Sequence, residues 1–113
     1  MMREVRAGTI SRDALRAQLA LGIGRFLQQV RSEPVVAHGH WQGWRIVSLF
    51  KGRDDVHVSV LQVGDIVTHV NGKSIERPED FKTVWDGLND AKELVLDIVR
   101  DGQSSRLRYS ITP

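Results

Sequence analysis

The run Ile66-Val67-Thr68-His69-Val70, closed at once by Asn71-Gly72, constrains this chain more than any other stretch. Its β-branched residues suit a pleated strand, and Asn-Gly supplies the positive φ values of a primed two-residue turn. Gly64-Asp65, just upstream, makes a second tight turn before that strand. A strand held between two such turns needs neighbours, so the fold must contain a sheet. At 113 residues the chain is one domain long. Area scaling lets about two thirds of its unfolded surface be buried, enough for one modest core without metal or disulfide help.

The other elements follow from local pattern. Residues 1–10 lack a clear period and are expected to be a flexible arm. Ser11 offers an N-cap, with Asp13 in the first turn, where negative charge suits the helix dipole. Leu15, Leu19, Ile23, Phe26 and Val30 then recur at helical spacing, predicting a helix over about residues 11–31. Gly22 and Gly24 predict a kink or break near its middle, and Pro34 stops it. Pro34–His38 reads as a short strand, Gly39 and Gly43 as brackets of a turn holding His40 and Trp41, and Trp44–Leu49 as the next strand. Lys51–Asp55 reads as a polar loop. Pro78, followed by Glu79 and Asp80, opens a second helix over 78–89, whose apolar face is Phe81, Val84, Trp85 and Leu88. Leu94–Arg100, Asp101-Gly102 and Arg106–Ile111 form a terminal hairpin. The expected architecture is α+β, a small barrel or sandwich of about six strands with two helices, occupying residues 11–113.

Composition excludes several functions. The 16 Lys+Arg against 14 Asp+Glu leave a formal charge of +2, with no block of basic residues to track a phosphate backbone. Arg3, Arg6, Arg12, Arg16, Arg25 and Arg31 read as a solvated face, so no nucleic-acid partner is expected. With no cysteine, thiol catalysis and zinc ribbons are excluded. His38 and His40, with His57, His69, Asp54 and Asp55, are the strongest metal candidates, but no H-E-x-x-H accompanies them and no metal or cofactor is expected. The serines lack a G-x-S-x-G elbow, so no catalytic residue is assigned. No apolar run is long enough to span a bilayer. The start Met1–Arg6 lacks the apolar stretch of a secretory signal, which leaves a cytoplasmic chain or a domain of a longer exported protein.

Leu61-Gln62-Val63-Gly64-Asp65-Ile66-Val67-Thr68-His69-Val70-Asn71-Gly72 resembles the L-x-x-G-D-x-I/V-x-x-I/V-N-G signature of bacterial PDZ domains. Pro78-Glu79-Asp80-Phe81 opening a helix, and Arg100-Asp101-Gly102 before a last strand, match the tail of their circularly permuted form. Upstream, the helix beginning at Ile10-Ser11-Arg12, the joint Val30–Pro34 and the hairpin into Gly43-Trp44-Arg45-Ile46 are similar to the PDZ region of general secretion pathway protein C. That family is the inner-membrane clamp component of type II secretion. The resemblance covers about residues 10–112. It departs at Asp55–Leu61, where Val60 stands in place of the family's glycine and β-branched residues at 56, 58 and 60 disfavour a helix. The family's membrane anchor is not among these residues.

The resemblance implies a non-enzymatic module that adds an extended segment as a strand beside a sheet edge, with a helix as the other wall. It implies that Gln42-Gly43 and the strand Trp44, Arg45, Ile46 and Val47 form the receiving edge, with Gly43 offering backbone donors. Phe81, Val84, Trp85 and Leu88 supply the helix wall. It further implies a periplasmic setting on the inner membrane, and a secretin or a secreted substrate as partner. The alternative implied by the same signature is a regulatory PDZ domain of an envelope protease.

Overall fold

A computed structural model describes residues 2–49 and 61–113. The expected polar loop at 51–55 and the departure at 55–60 lie outside the described residues. In chain order the elements are β1 (Arg3–Ser11), α1 (Arg12–Ala20), α2 (Ile23–Gln29), β2 (Val30–Ala37), β3 (His40–Leu49), β4 (Ile66–Val70), β5 (Lys73–Ser74), α3 (Pro78–Gly87), a 3-10 turn (Leu88–Asp90), β6 (Glu93–Arg100) and β7 (Gln103–Thr112). The strands form one sheet in the spatial order β1-β7-β6-β4-β3-β2, with β5 paired to β4 off this path. The path ends at β1 and β2, so the described residues form an α+β domain with an open sheet rather than a closed barrel.

Residues 1–10, expected as a loose arm, contribute a strand: β1 pairs parallel to β7 from Arg3↔Ser105 to Ser11↔Thr112. A bulge between Arg6 and Gly8 shifts its register, and this explains why no simple alternation appears in its sequence. Ser11 then caps α1 as expected, its Oγ accepting the Ala14 N–H at 3.0 Å. The predicted break falls at Gly22, whose φ of 92° few other residues tolerate. The single expected helix over 11–31 is therefore two short ones, and Val30 and Arg31 already belong to β2.

Asn71-Gly72 closes the β4–β5 hairpin with both φ values positive, at 50° and 79°. Asn71 also ties that turn to β6, its Oδ1 accepting the Val95 N–H at 2.7 Å and its Nδ2 donating to the Glu93 carbonyl at 3.1 Å. The core centres on Ile98, Leu107 and Tyr109, each 1% exposed, where β6 and β7 cross the middle of the sheet. Ala7, Val30, Ile46, Val67 and Val84 pack into the same cluster.

Asp65 is as buried as the core, at 1% exposure. A buried carboxylate needs a full set of partners. Arg100 grips it with two parallel bonds, Nε to Oδ1 at 2.7 Å and Nη2 to Oδ2 at 2.6 Å, and the Gln62 N–H adds a third at 2.8 Å. The hydrogen bond to Asp65 also holds the Arg100 guanidinium above its already high ordinary pKa. The Gly-Asp and Arg-Asp-Gly segments of the sequence thus meet in one contact. It fixes the turn on which β3 leans.

Candidate functional site

The groove expected beside β3 depends on which strand has a free edge. Ile46 donates its N–H to the Asp65 carbonyl at 2.8 Å and accepts the Gly64 N–H at 2.9 Å. Trp44 and Arg45 are the register partners of Val67 and Ile66 on β4. On its other side β3 is paired with β2, from Val30↔Leu49 to Ala37↔His40. The strand that follows Gly43 is therefore interior, and the expectation that Trp44–Val47 is the receiving edge is corrected. Among the described residues that edge belongs to β2, the last strand of the path. In sequence, Val30–Glu33 reads as the end of a helix and a joint, which leaves β2 too short to cover β3.

Gly43 is not a free donor loop either. It sits inside β3 beside a register shift, and a Cβ there would collide with Ile66 Cγ2 and approach the Val67 carbonyl to 2.9 Å. The residue is glycine because β4 passes too closely, its Ile66 side chain and Val67 carbonyl filling the space a Cβ would need. His40 and Trp41, expected in the turn, begin β3 instead, and the turn is His38-Gly39. His38 lies outside either strand, so the two histidine rings do not share a strand face.

The polarity of the β2 edge follows from alternation. Because the Ile46 amide and carbonyl face β4, those of Arg45 face β2, and its partner Glu33 turns inward to meet them. The next residue, Pro34, turns its nitrogen outward, which is the side a strand proline must present. The open edge therefore offers no donor at Pro34, and Ser32 flanks that gap with its own amide and carbonyl turned outward. On the outer face of the sheet Glu33 and Arg45 form an exposed ion pair at 3.0 Å. This places Arg45 away from the apolar side, where Trp44 and Ile46 lie.

The second wall is α3, positioned at both ends. Pro78 starts it, and the Arg77 N–H donates to Asp80 Oδ2 at 3.3 Å. Trp44 Nε1 donates to the Ile75 carbonyl at 2.7 Å, fixing the chain entering the helix. Beyond its far end, Arg12 of α1 donates to the carbonyls of Asn89 and Ala91, at 2.9 and 2.7 Å. Val84 and Leu88 are buried and belong to the core, as does Ile46. Phe81 and Trp85 are half-buried, one turn apart on a common face. That face is met by Phe26 of α2, whose ring lies 5.9 Å from Phe81 and 5.2 Å from Trp85. Val47 is exposed at the register shift of β3.

Of the residues expected to form the site, Phe81 and Trp85 present a partly open apolar face, and Trp44 supports the helix. Ser32, Pro34 and Phe26 were missed. Proline inside a strand is itself an edge signal, and Pro34 carried it.

No protein-family model matches the chain. Part of the sequence is similar to two serine proteases. One, the "Probable periplasmic serine endoprotease DegP-like" of Ectopseudomonas mendocina, is 37% identical over 51 residues, 45% of this chain. The other, the mitochondrial serine protease HTRA2 of Drosophila virilis, is 46% identical over 57 residues, 50% of this chain. The chain spans only 11% and 13% of those proteins. In structure it is similar to the PDZ domain of EpsC from Vibrio cholerae, with a TM-score of 0.57 and 25% identity, covering 87% of this chain and 92% of that one. It is also similar to the PDZ domain of the pullulanase C protein of the type II secretion system from Klebsiella pneumoniae, solved in complex with fatty acid. There the TM-score is 0.56 and the identity 23%, over 85% of this chain and 98% of that one. With the Gly-Asp turn, the Asn-Gly hairpin and the helix from Pro78 in their expected places, the chain is a PDZ domain, similar in fold to those of type II secretion proteins.

Proposed function

We propose that this PDZ domain is a non-enzymatic binding module of a type II secretion component, working on the periplasmic side of the inner membrane. It takes an extended segment of a partner, a secretin or a secreted substrate, as an added strand along β2 opposite α3. The observation that carries this reading is the position of β2 at the end of the strand path, with β3 already paired on both sides. Backbone groups at Ser32 supply affinity, and the Phe81–Trp85 face selects among side chains. The structural likeness to EpsC and pullulanase C supports the secretion setting.

A second reading, a regulatory PDZ domain of an envelope protease, is favoured by the sequence similarity to the two serine proteases. The test is an amide-shift titration of the isotope-labelled chain with overlapping peptides from the periplasmic part of a secretin. Shifts at Ser32 and along α3, lost in Trp85→Ala while the fold persists, are the expected result. Shifts confined to other surfaces would overturn strand addition at β2. Equivalent binding of protease-derived peptides, with none from the secretin, would favour the second reading.

A further inference from the structure

The helix α2 is short and poorly capped. It has seven residues, no side-chain cap at its N-cap Gly22, no acidic residue in its first turn and no fully buried side chain. Gly24 weakens its first turn further, and Leu27 is 51% exposed. A helix of this length does not persist on its own propensity. What holds it is Phe26, stacked on Phe81 with planes 26° apart and tilted against Trp85 at 57°. Phe26 thus covers the same face of α3 that the proposed groove offers to a ligand. Moreover α2 runs without a linker into β2, the edge strand.

We propose that the Phe81–Trp85 face is a subsite for an aromatic side chain of the bound segment, and that Phe26 is its internal occupant, swung aside about Gly22 when a partner docks. The inference rests on the β2–α3 groove being the binding site. A ligand ring replacing the Phe26 ring recovers the same offset and tilted contacts, so exchange of one aromatic for another keeps the buried area, whereas an aliphatic side chain loses the ring geometry. Because the open state is a minority, the latch lowers apparent affinity by the fraction of molecules that are open.

Two substitutions move the latch in opposite directions. Phe26→Ala removes the occupant. Gly24→Ala strengthens α2, and an added Cβ there meets nothing within 4 Å. The probe is a phage-displayed library of random dodecapeptides, selected on the Phe26→Ala chain. The expected result is a set of peptides enriched in Phe, Tyr or Trp. They bind Phe26→Ala about tenfold more tightly than the unaltered chain, and Gly24→Ala up to about fivefold more weakly. Equal affinity for all three chains, no aromatic enrichment, or no recovered peptide would each overturn the subsite.

Amide protection separates this from the groove itself. Peptides that protect Ser32 but ignore the two substitutions remove the latch and leave strand addition standing. Peptides that follow the substitutions without protecting β2 remove strand addition, and the inference with it. Should Phe26→Ala fail to fold, hydrogen exchange on the unaltered chain decides. Amides of residues 23–29 are expected to exchange through a local opening that leaves β6 and β7 protected, and exchange only through global unfolding would refute the hinge.

Discussion

Replacing Arg100 with methionine tests the physical account of the scaffold under the groove. The change keeps most of the side chain's length and volume but removes two of the three hydrogen bonds described above, leaving the Asp65 carboxylate, 1% exposed, with that from the Gln62 N–H. Breaking a buried pair by removing one partner costs about 3–5 kcal/mol. The Arg100 side chain is 32% exposed, so water reaches one side of the gap and the low end applies, about 3 kcal/mol. For 113 residues the unfolding entropy is about 240 cal/mol/K, so each kcal/mol moves Tm by about 4 °C. A calorimetric scan should therefore show a fall of roughly 12 °C. Arg106→Met is the control. Its pair with Asp97 is looser, at 2.8 and 3.4 Å, and Arg106 is 41% exposed, so its Tm should fall clearly less. Equal falls for the two variants, or less than about 4 °C for Arg100→Met, would refute the argument that burial of Asp65 sets the cost.

Gly43→Val forces a side chain against Ile66 and the Val67 carbonyl; overpacking of this kind costs about 2–3 kcal/mol, and a thermal melt unchanged within about 4 °C would contradict it. Trp44→Phe removes the donor to the Ile75 carbonyl, which should cost about 1 kcal/mol and speed amide exchange over residues 76–80; unaltered exchange there would show that the indole does not hold the entry to α3. Pro34→Ala places an amide at the middle of the open edge, and it should exchange at close to the solvent rate while that of Glu33 stays protected. Protection at position 34 in the isolated chain would mean that the nitrogen faces β3.

Much of the scaffold was legible because its signals are local. Asn71-Gly72, Pro78 with its acidic first turn, the Asp101-Gly102 hairpin and the Ser11 cap each carry their cause within a few residues. What was misread depends on partners far along the chain. β1 is a strand because β7 lies beside it, and its bulge at Arg6–Gly8 hides the alternation. Val30–Glu33 continues a helical stripe in sequence, yet β3 draws it into the sheet once Gly22 has ended α1. Gly43 reads in sequence as a ligand contact, whereas its neighbours are the Ile66 side chain and the Val67 carbonyl of β4. The site suffered most. In sequence Phe26 is one member of an apolar stripe, but its meeting with Phe81 and Trp85 joins α2 to α3, which no periodicity can express.

The parallel pairing of β1 with β7 has a mechanical meaning. Arg3 lies beside Ser105 and Ser11 beside Thr112, so the front of β1 and the tail of β7 point to opposite ends of the sheet. Tension applied between those two points would slide the strands lengthwise, loading the whole ladder at once instead of peeling it bond by bond. A domain strung this way resists traction along its chain, while the β2 margin, at the far side of the sheet, stays outside the line of force.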